Sequence, residues 1–199
     1  MSELWQIYED SMKESKRKIK KIKRLERQRQ EQMKKDNIVL IGMPGVGKST
    51  VGVILAKILG YQFVDADLVI QKEEGKLLKD IIAEKGTDGF IQVENRVNSN
   101  LQVHESVVAT GGSVVYGTEA MEHLSEIGTV VYLKQSLRKL ERRLRNIKNR
   151  GVVLRPGQTL KDLYRERTVL YEKYADIIVD ESNLNVEQTV EAVIDALKR

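Results

Sequence analysis

Asn37-Ile-Val-Leu-Ile41-Gly42-Met-Pro-Gly45-Val-Gly47-Lys48-Ser49-Thr50 is the stretch on which the reading of this chain turns. Its first five residues form an apolar run, too short for a helix and suited to a buried strand. The rest fits G-x-x-x-x-G-K-[ST], after that strand and ahead of the helical spacing of Lys48 to Leu59, which is the context the pattern requires. Glycines let the backbone curl so that successive N–H groups point inward at phosphate oxygens. The helix N-terminus adds its partial positive charge. Gly45, Val46, Gly47, Lys48, Ser49 and Thr50 are therefore the candidate nucleotide-binding residues. Lys48 would reach the β- and γ-phosphates of a nucleoside triphosphate such as ATP, and the Ser49 hydroxyl would ligate Mg²⁺.

On either side of this loop the apolar pattern alternates in kind. Gln62-Phe-Val64, Ser106-Val-Val-Ala-Thr110, Thr129-Val-Val-Tyr-Leu133 and Ile177-Ile-Val-Asp180 read as further buried strands. Helical spacing runs from Asp65 to about Gln102 and over roughly 118–125, 135–147, 160–174 and 186–198. Strands alternating with helices predict an α/β domain with a parallel sheet covered on both faces.

Composition bounds the rest. Of 199 residues 41% are hydrophobic and 32% charged, enough to build a core and too apolar for wholesale disorder. The chain has no cysteine, which excludes disulfides, thiolate metal sites and cysteine nucleophiles. With no apolar leader and no run of 18 apolar residues, the expectation is a soluble cytoplasmic protein without a membrane span. The net charge of +5 belongs to residues 1–36, which hold 12 Lys/Arg against 7 Asp/Glu, whereas residues 37–199 hold 22 of each. Residues 1–36 also lack Gly and Pro, so the expected organisation is a basic helical extension at 1–36 and a folded domain at 37–199. The heptad positions of the extension are broken by Ser15, Glu26 and Arg29, which leaves a solvated helix, a partner-packing helix or self-association open. Within the domain, residues 134–167 carry 12 Lys/Arg against 3 Asp/Glu, a concentration that points to an anion.

Two further patterns fall at strand ends, the edge where open α/β sheets bind ligands. Asp65-Ala-Asp67 offers two carboxylates, one able to hold Mg²⁺ through water and the other to accept a proton from a substrate hydroxyl. Helix capping is the plainer use of such a pair. In Thr110-Gly111-Gly112-Ser113, paired glycines allow a substrate close to the backbone. His104 and His123 have no partner at metal-ligand spacing.

The P-loop, Asp65-x-Asp67, Gly86…Phe90…Glu94, Thr110-Gly111-Gly112 and Arg167-Thr-Val-Leu-Tyr171-Glu-Lys-Tyr-Ala175-Asp176 together resemble the shikimate kinases in order and spacing, over about 37–198. The resemblance implies a nucleoside-monophosphate-kinase-like fold with a five-stranded parallel sheet. It also implies transfer of the ATP γ-phosphoryl group to a ring hydroxyl of shikimate, in aromatic amino-acid biosynthesis. By position, Asp65 would be the water-mediated Mg²⁺ partner, and Asp67 would bind the substrate hydroxyls and orient the nucleophile. Gly111 and Gly112 would contact substrate, and Arg167 would pair with its carboxylate. Lys48 and Arg150 complete the catalytic set, with Arg150 on a mobile lid at about 147–160 and also facing the nucleotide.

The sequence departs from the family pattern at three places. Isoleucine, Ile91, stands where the family has an arginine that grips the shikimate carboxylate. Ser113 replaces a third glycine, and the Arg150 segment lacks its proline. A hydrogen bond to a charged group contributes about 1.5–3 kcal/mol, so the loss at Ile91 bears on the acceptor. Arg96, Arg150 and Arg155 are candidate substitutes, although Arg96 lies about 140° round the helix from Ile91. An acceptor without that carboxylate, another polyol or sugar acid, is the alternative. A second alternative is a nucleotide-sensing module whose extension binds nucleic acid or protein; intact Asp67 and Arg167 argue against it.

Overall fold

A computed structural model of the chain describes residues 12, 16–20, 35–144, 155 and 157–198. The chain divides into two units, Met1–Lys34 and Lys35–Arg199. In the first, Met12 and residues 16–20 are helical; Lys35 and Asp36, expected to end the helical extension, are not helical and belong to the second unit, and the rest of the expected extension lies outside the described residues.

The second unit is built on five strands: β1 (Asn37–Ile41), β2 (Gln62–Asp65), β3 (Ser106–Ala109), β4 (Gly128–Lys134) and β5 (Ile177–Asp180). They pair in the order β2-β3-β1-β4-β5, every pair parallel. β1 is the central strand and all five of its residues are buried, as expected of a strand covered on both faces. Asn37 opens it with three hydrogen bonds. Its side-chain amide donates to the Val103 and Ile127 carbonyls at 3.0 and 2.8 Å, and its oxygen accepts from Ser106 N–H at 3.0 Å. A buried amide satisfied in this way ties three segments to one point.

Seven helices among the described residues of this unit surround the sheet: α1 (Lys48–Leu59), α2 (Ala66–Glu74), α3 (Leu78–Ser99), α4 (Thr118–Ile127), α5 (Leu137–Arg143), α6 (Leu160–Tyr174) and α7 (Val186–Leu197). A 3₁₀ turn spans Val114–Tyr116. The main core packs the strands against apolar helix faces, with Leu40, Leu55, Leu124, Leu133 and Val193 fully buried. A smaller cluster of Ile70, Ile81, Phe90, Val93 and Val97 joins α2 to α3, with Ile91 partly buried against it. α3 is kinked at Gly86, whose φ of 70° and ψ of 179° are open essentially to glycine alone. The kink redirects the segment that carries Phe90 and Glu94. The helical pattern expected over 135–147 is α5, which ends at Arg143; residues 145–150 lie outside the described set.

Candidate active site

Strands β1, β2 and β3 end at the same sheet edge, where the P-loop, Asp67 and Thr110-Gly111-Gly112 line one cavity of about 570 Å³. Residues 44–51 line it together with Asp67, Leu78, Phe90 and Glu94. All six candidate nucleotide-binding residues, Gly45 to Thr50, line it, together with Asp67, Gly111 and Gly112. Gly45 and Gly47 take positive φ of 76° and 120°, the curl that a phosphate-cradling loop needs.

Lys48 is buried and its ammonium folds back to donate to the Gly42 and Met43 carbonyls at 2.7 and 3.2 Å. An ammonium removed from water requires such acceptors. Burial lowers its pKa to about 8, with Arg167 pushing the same way and the carboxylates of Asp67, Glu94 and Asp65 opposing. Asp65 takes the capping use open to it and also meets Ser49. One carboxylate oxygen accepts from Asp67 N–H at 3.0 Å and caps α2, and the other accepts from the Ser49 hydroxyl at 3.2 Å. Ser49 and Asp65 thus present hard oxygen donors side by side at the P-loop, the chemistry Mg²⁺ takes when phosphates and waters supply its other ligands. Among the described residues there is no group of three or more His, Asp or Glu that could hold a metal ion.

Asp67 and Glu94 face Gly111 from two sides. A Cβ on Gly111 would come within 2.9 Å of an Asp67 oxygen and would collide with Glu94. One Asp67 oxygen and both Glu94 oxygens are buried without a hydrogen-bond partner among the described residues. Burial raises Asp67 to about 6, with the neighbouring Asp65 adding and Lys48 opposing. Burial likewise raises Glu94 to about 7, and Asp67 adds to it. The Ser113 hydroxyl opposes this shift from nearby, yet it makes no hydrogen bond of acceptable geometry to either oxygen. Orphaned buried oxygens at a cavity wall are places for ligand hydroxyl groups. The sequence reading gave Glu94 no role beyond the pattern. The signal was present all the same, since a glutamate at the i+4 position from Phe90 shares the buried face of Phe90, Val93 and Val97.

Arg167 lies just behind this wall, 1% exposed, with one terminal nitrogen 3.1 Å from where a Gly112 Cβ would sit. Tyr171 stacks on Tyr132 and donates its hydroxyl to the Gly112 carbonyl at 2.6 Å. At the opposite end of the cavity, Arg143 was legible only as one of the basic stretch. It donates to the Val46 and Gly45 carbonyls at 2.6 and 3.2 Å and pairs with buried Glu181 at 3.3 Å. Arg150 lies outside the described residues. Of the other candidate substitutes for the missing arginine, Arg96 is turned away and bridges Glu73 and Glu74 at 3.1 and 2.8 Å. Arg155 reaches Asp88 at 3.6 Å, three residues before Ile91.

The comparisons agree with this geometry. The model of the family described as shikimate kinase matches residues 44–198. A shikimate kinase of Persephonella marina is 36% identical over 163 residues, 81% of this chain and 99% of that protein. The solved shikimate kinase of Acinetobacter baumannii in complex with shikimate is similar at a TM-score of 0.73 and 30% identity, covering 82% of this chain and 93% of its own. That of Aquifex aeolicus is similar at 0.69 and 32%, covering 81% and 96%. A P-loop opening onto two buried carboxyl groups and a glycine pair, set on a β2-β3-β1-β4-β5 parallel sheet and matched along four fifths of the chain, places this protein in the shikimate kinase family.

Proposed function

We propose that the chain is a shikimate kinase, transferring the γ-phosphoryl group of ATP to a hydroxyl of shikimate. The observation that carries this reading is that one cavity holds both the P-loop and the Asp67–Glu94–Gly111 wall. Phosphate and hydroxyl acceptor therefore have places in the same cavity.

The backbone N–H groups of Gly45 to Thr50 cradle the phosphates. Lys48 exchanges its Gly42 and Met43 carbonyls for phosphate oxygens, so its charge moves without being newly desolvated. Ser49 and Asp65 would hold Mg²⁺, which would neutralise charge on the β- and γ-phosphates. Asp67, its pKa raised to about 6 by burial and therefore mainly ionised at pH 7, orients the acceptor hydroxyl and takes its proton as that oxygen bonds to phosphorus and the bond to ADP breaks. Glu94 and the Gly111–Gly112 backbone position the acceptor ring, and Arg167 faces its carboxylate. Arg150, which lies outside the described residues, would complete the catalytic set by meeting the nucleotide phosphates, as the family resemblance implies. The kinase domain occupies 37–199, after a basic helical extension at 1–36 that offers a surface for self-association. We place the protein in the cytoplasm; no described helix is long and apolar enough to cross a membrane.

Steady-state ADP release with ATP, Mg²⁺ and a shikimate titration tests the reading, with Lys48→Ala as the blank. Shikimate-dependent turnover absent from the blank is the expected result. ATP binding without any dependence up to millimolar shikimate would overturn it and move the search to acceptors lacking the carboxylate.

A further inference from the structure

Arg167, on α6, lies behind the cavity wall beside Gly112, and its contacts there include one residue with no assigned role. Tyr116 ends the 3₁₀ turn that follows Gly111-Gly112. The Arg167 Nε–H donates to the Tyr116 hydroxyl at 3.3 Å, and the guanidinium carbon lies 5.1 Å from the centre of the Tyr116 ring. A planar guanidinium gripped at Nε and covered on one face by a ring has its direction set as well as its position. The terminal nitrogen Nη1 then falls beside Gly112, whose carbonyl is pinned in turn by the Tyr171 hydroxyl. Tyr116 cannot swing away freely, because its turn is anchored by Val114 and Val115, both buried in the main core. Glu166 and Arg167 both act on the Tyr116 phenol, and Glu166 accepts a 2.7 Å hydrogen bond from Gln158. The direction of the arginine is thereby linked to the segment leading into α6.

Resting on the reading of Arg167 as the group that meets the acceptor carboxylate, we propose that Tyr116 is a positioning residue that aims Arg167 and so sets affinity for a carboxylate-bearing acceptor. Ile91 supplies no charge and Arg96 is occupied by Glu73 and Glu74, so the aim of Arg167 matters more here than it would with a second arginine at position 91.

The test is Tyr116→Phe, which keeps the ring and removes the phenolic oxygen, assayed with the full-length protein, ATP, Mg²⁺ and shikimate. The apparent KM for shikimate should rise about tenfold, the lower end of what a hydrogen bond to a charged group contributes. The KM for ATP and the melting temperature should stay as in wild type. In an Arg167→Lys background, which lacks the Nε–H, Tyr116→Phe should add less than about twofold, since two substitutions acting through one interaction do not add. An unchanged or lowered shikimate KM in Tyr116→Phe would overturn the proposal, the lowered value marking Tyr116 as a cover over Arg167. Equal losses for ATP and shikimate, or a full additional effect in the Arg167→Lys background, would also overturn it. Wild-type protein without shikimate-dependent turnover would count instead against the proposed function.

Discussion

Burial raises the pKa values of both Glu94 and Asp67 above the ordinary carboxylate range. The Glu94 pKa is raised from its ordinary 4.5 to about 7, so below pH 4.5 the group is protonated in folded and unfolded chains alike. Between 4.5 and 7 the unfolded chain ionises first, and the stability present at low pH is lost as pH rises. The whole loss is about 3 kcal/mol by linkage. Glu94→Gln should flatten the slope of stability against pH in this window and leave the variant more stable than wild type at pH 8, as urea titrations at several pH values would show. In the proposed role of proton acceptor, Asp67 works in the opposite sense, because only its ionised form accepts a proton. Shikimate-dependent kcat/KM should rise through about pH 6, the value to which burial pushes Asp67, and Asp67→Asn should lower turnover by at least about 100-fold. Gly111→Ala should abolish turnover with little loss of ATP affinity, since the added methyl fills the space between the two acids.

Among the elements, α3 governs the acceptor wall. Gly86→Ala forces a side chain into a backbone region open essentially to glycine, at a cost of about 1–3 kcal/mol. The same change should raise the shikimate KM more than the ATP KM, because the kink directs Glu94 and Phe90 while the P-loop is built separately from β1 and α1. Ile91 sits on this segment, partly buried over the Ile70–Ile81–Phe90 cluster. An arginine stem can lie along such an apolar surface with its charge at the rim. Ile91→Arg should therefore lower the apparent KM for shikimate and change kcat less, read from the same titration. Arg96 does not already play this part: the helical projection that sets it away from Ile91 is matched by its bridges to Glu73 and Glu74.

For the full chain, the division at Lys34/Lys35 sets the expectation for truncation. Deleting residues 1–34 should leave shikimate-dependent kcat and both KM values within about twofold, because every described cavity residue lies beyond Pro44 or at it. A loss of turnover on truncation would tie the extension to catalysis, and size-exclusion of both forms would report any self-association it mediates.

The five-stranded parallel sheet, the P-loop and the strand-end acids were legible in the sequence because each depends on local pattern. A short apolar run reads as a buried strand, glycine spacing dictates a phosphate-cradling curl, and an acid at a strand end faces the ligand edge. What those patterns could not tell was which groups from distant segments share a cavity. Glu94 and Asp67 meet across Gly111 only because the α3 kink and the β2–β3 pairing bring residues 67, 94 and 111 together. Arg143 and Glu181, 38 apart, join at the P-loop carbonyls, and Tyr116 and Arg167, 51 apart, meet behind Gly112. Contacts of this kind depend on chain crossings and on burial, and burial also moves Lys48, Asp67 and Glu94 away from their ordinary pKa values. The sequence by itself determined the fold class and the nucleotide loop; the tertiary structure decided the acceptor wall, because desolvation and long-range packing exist only once the chain has folded.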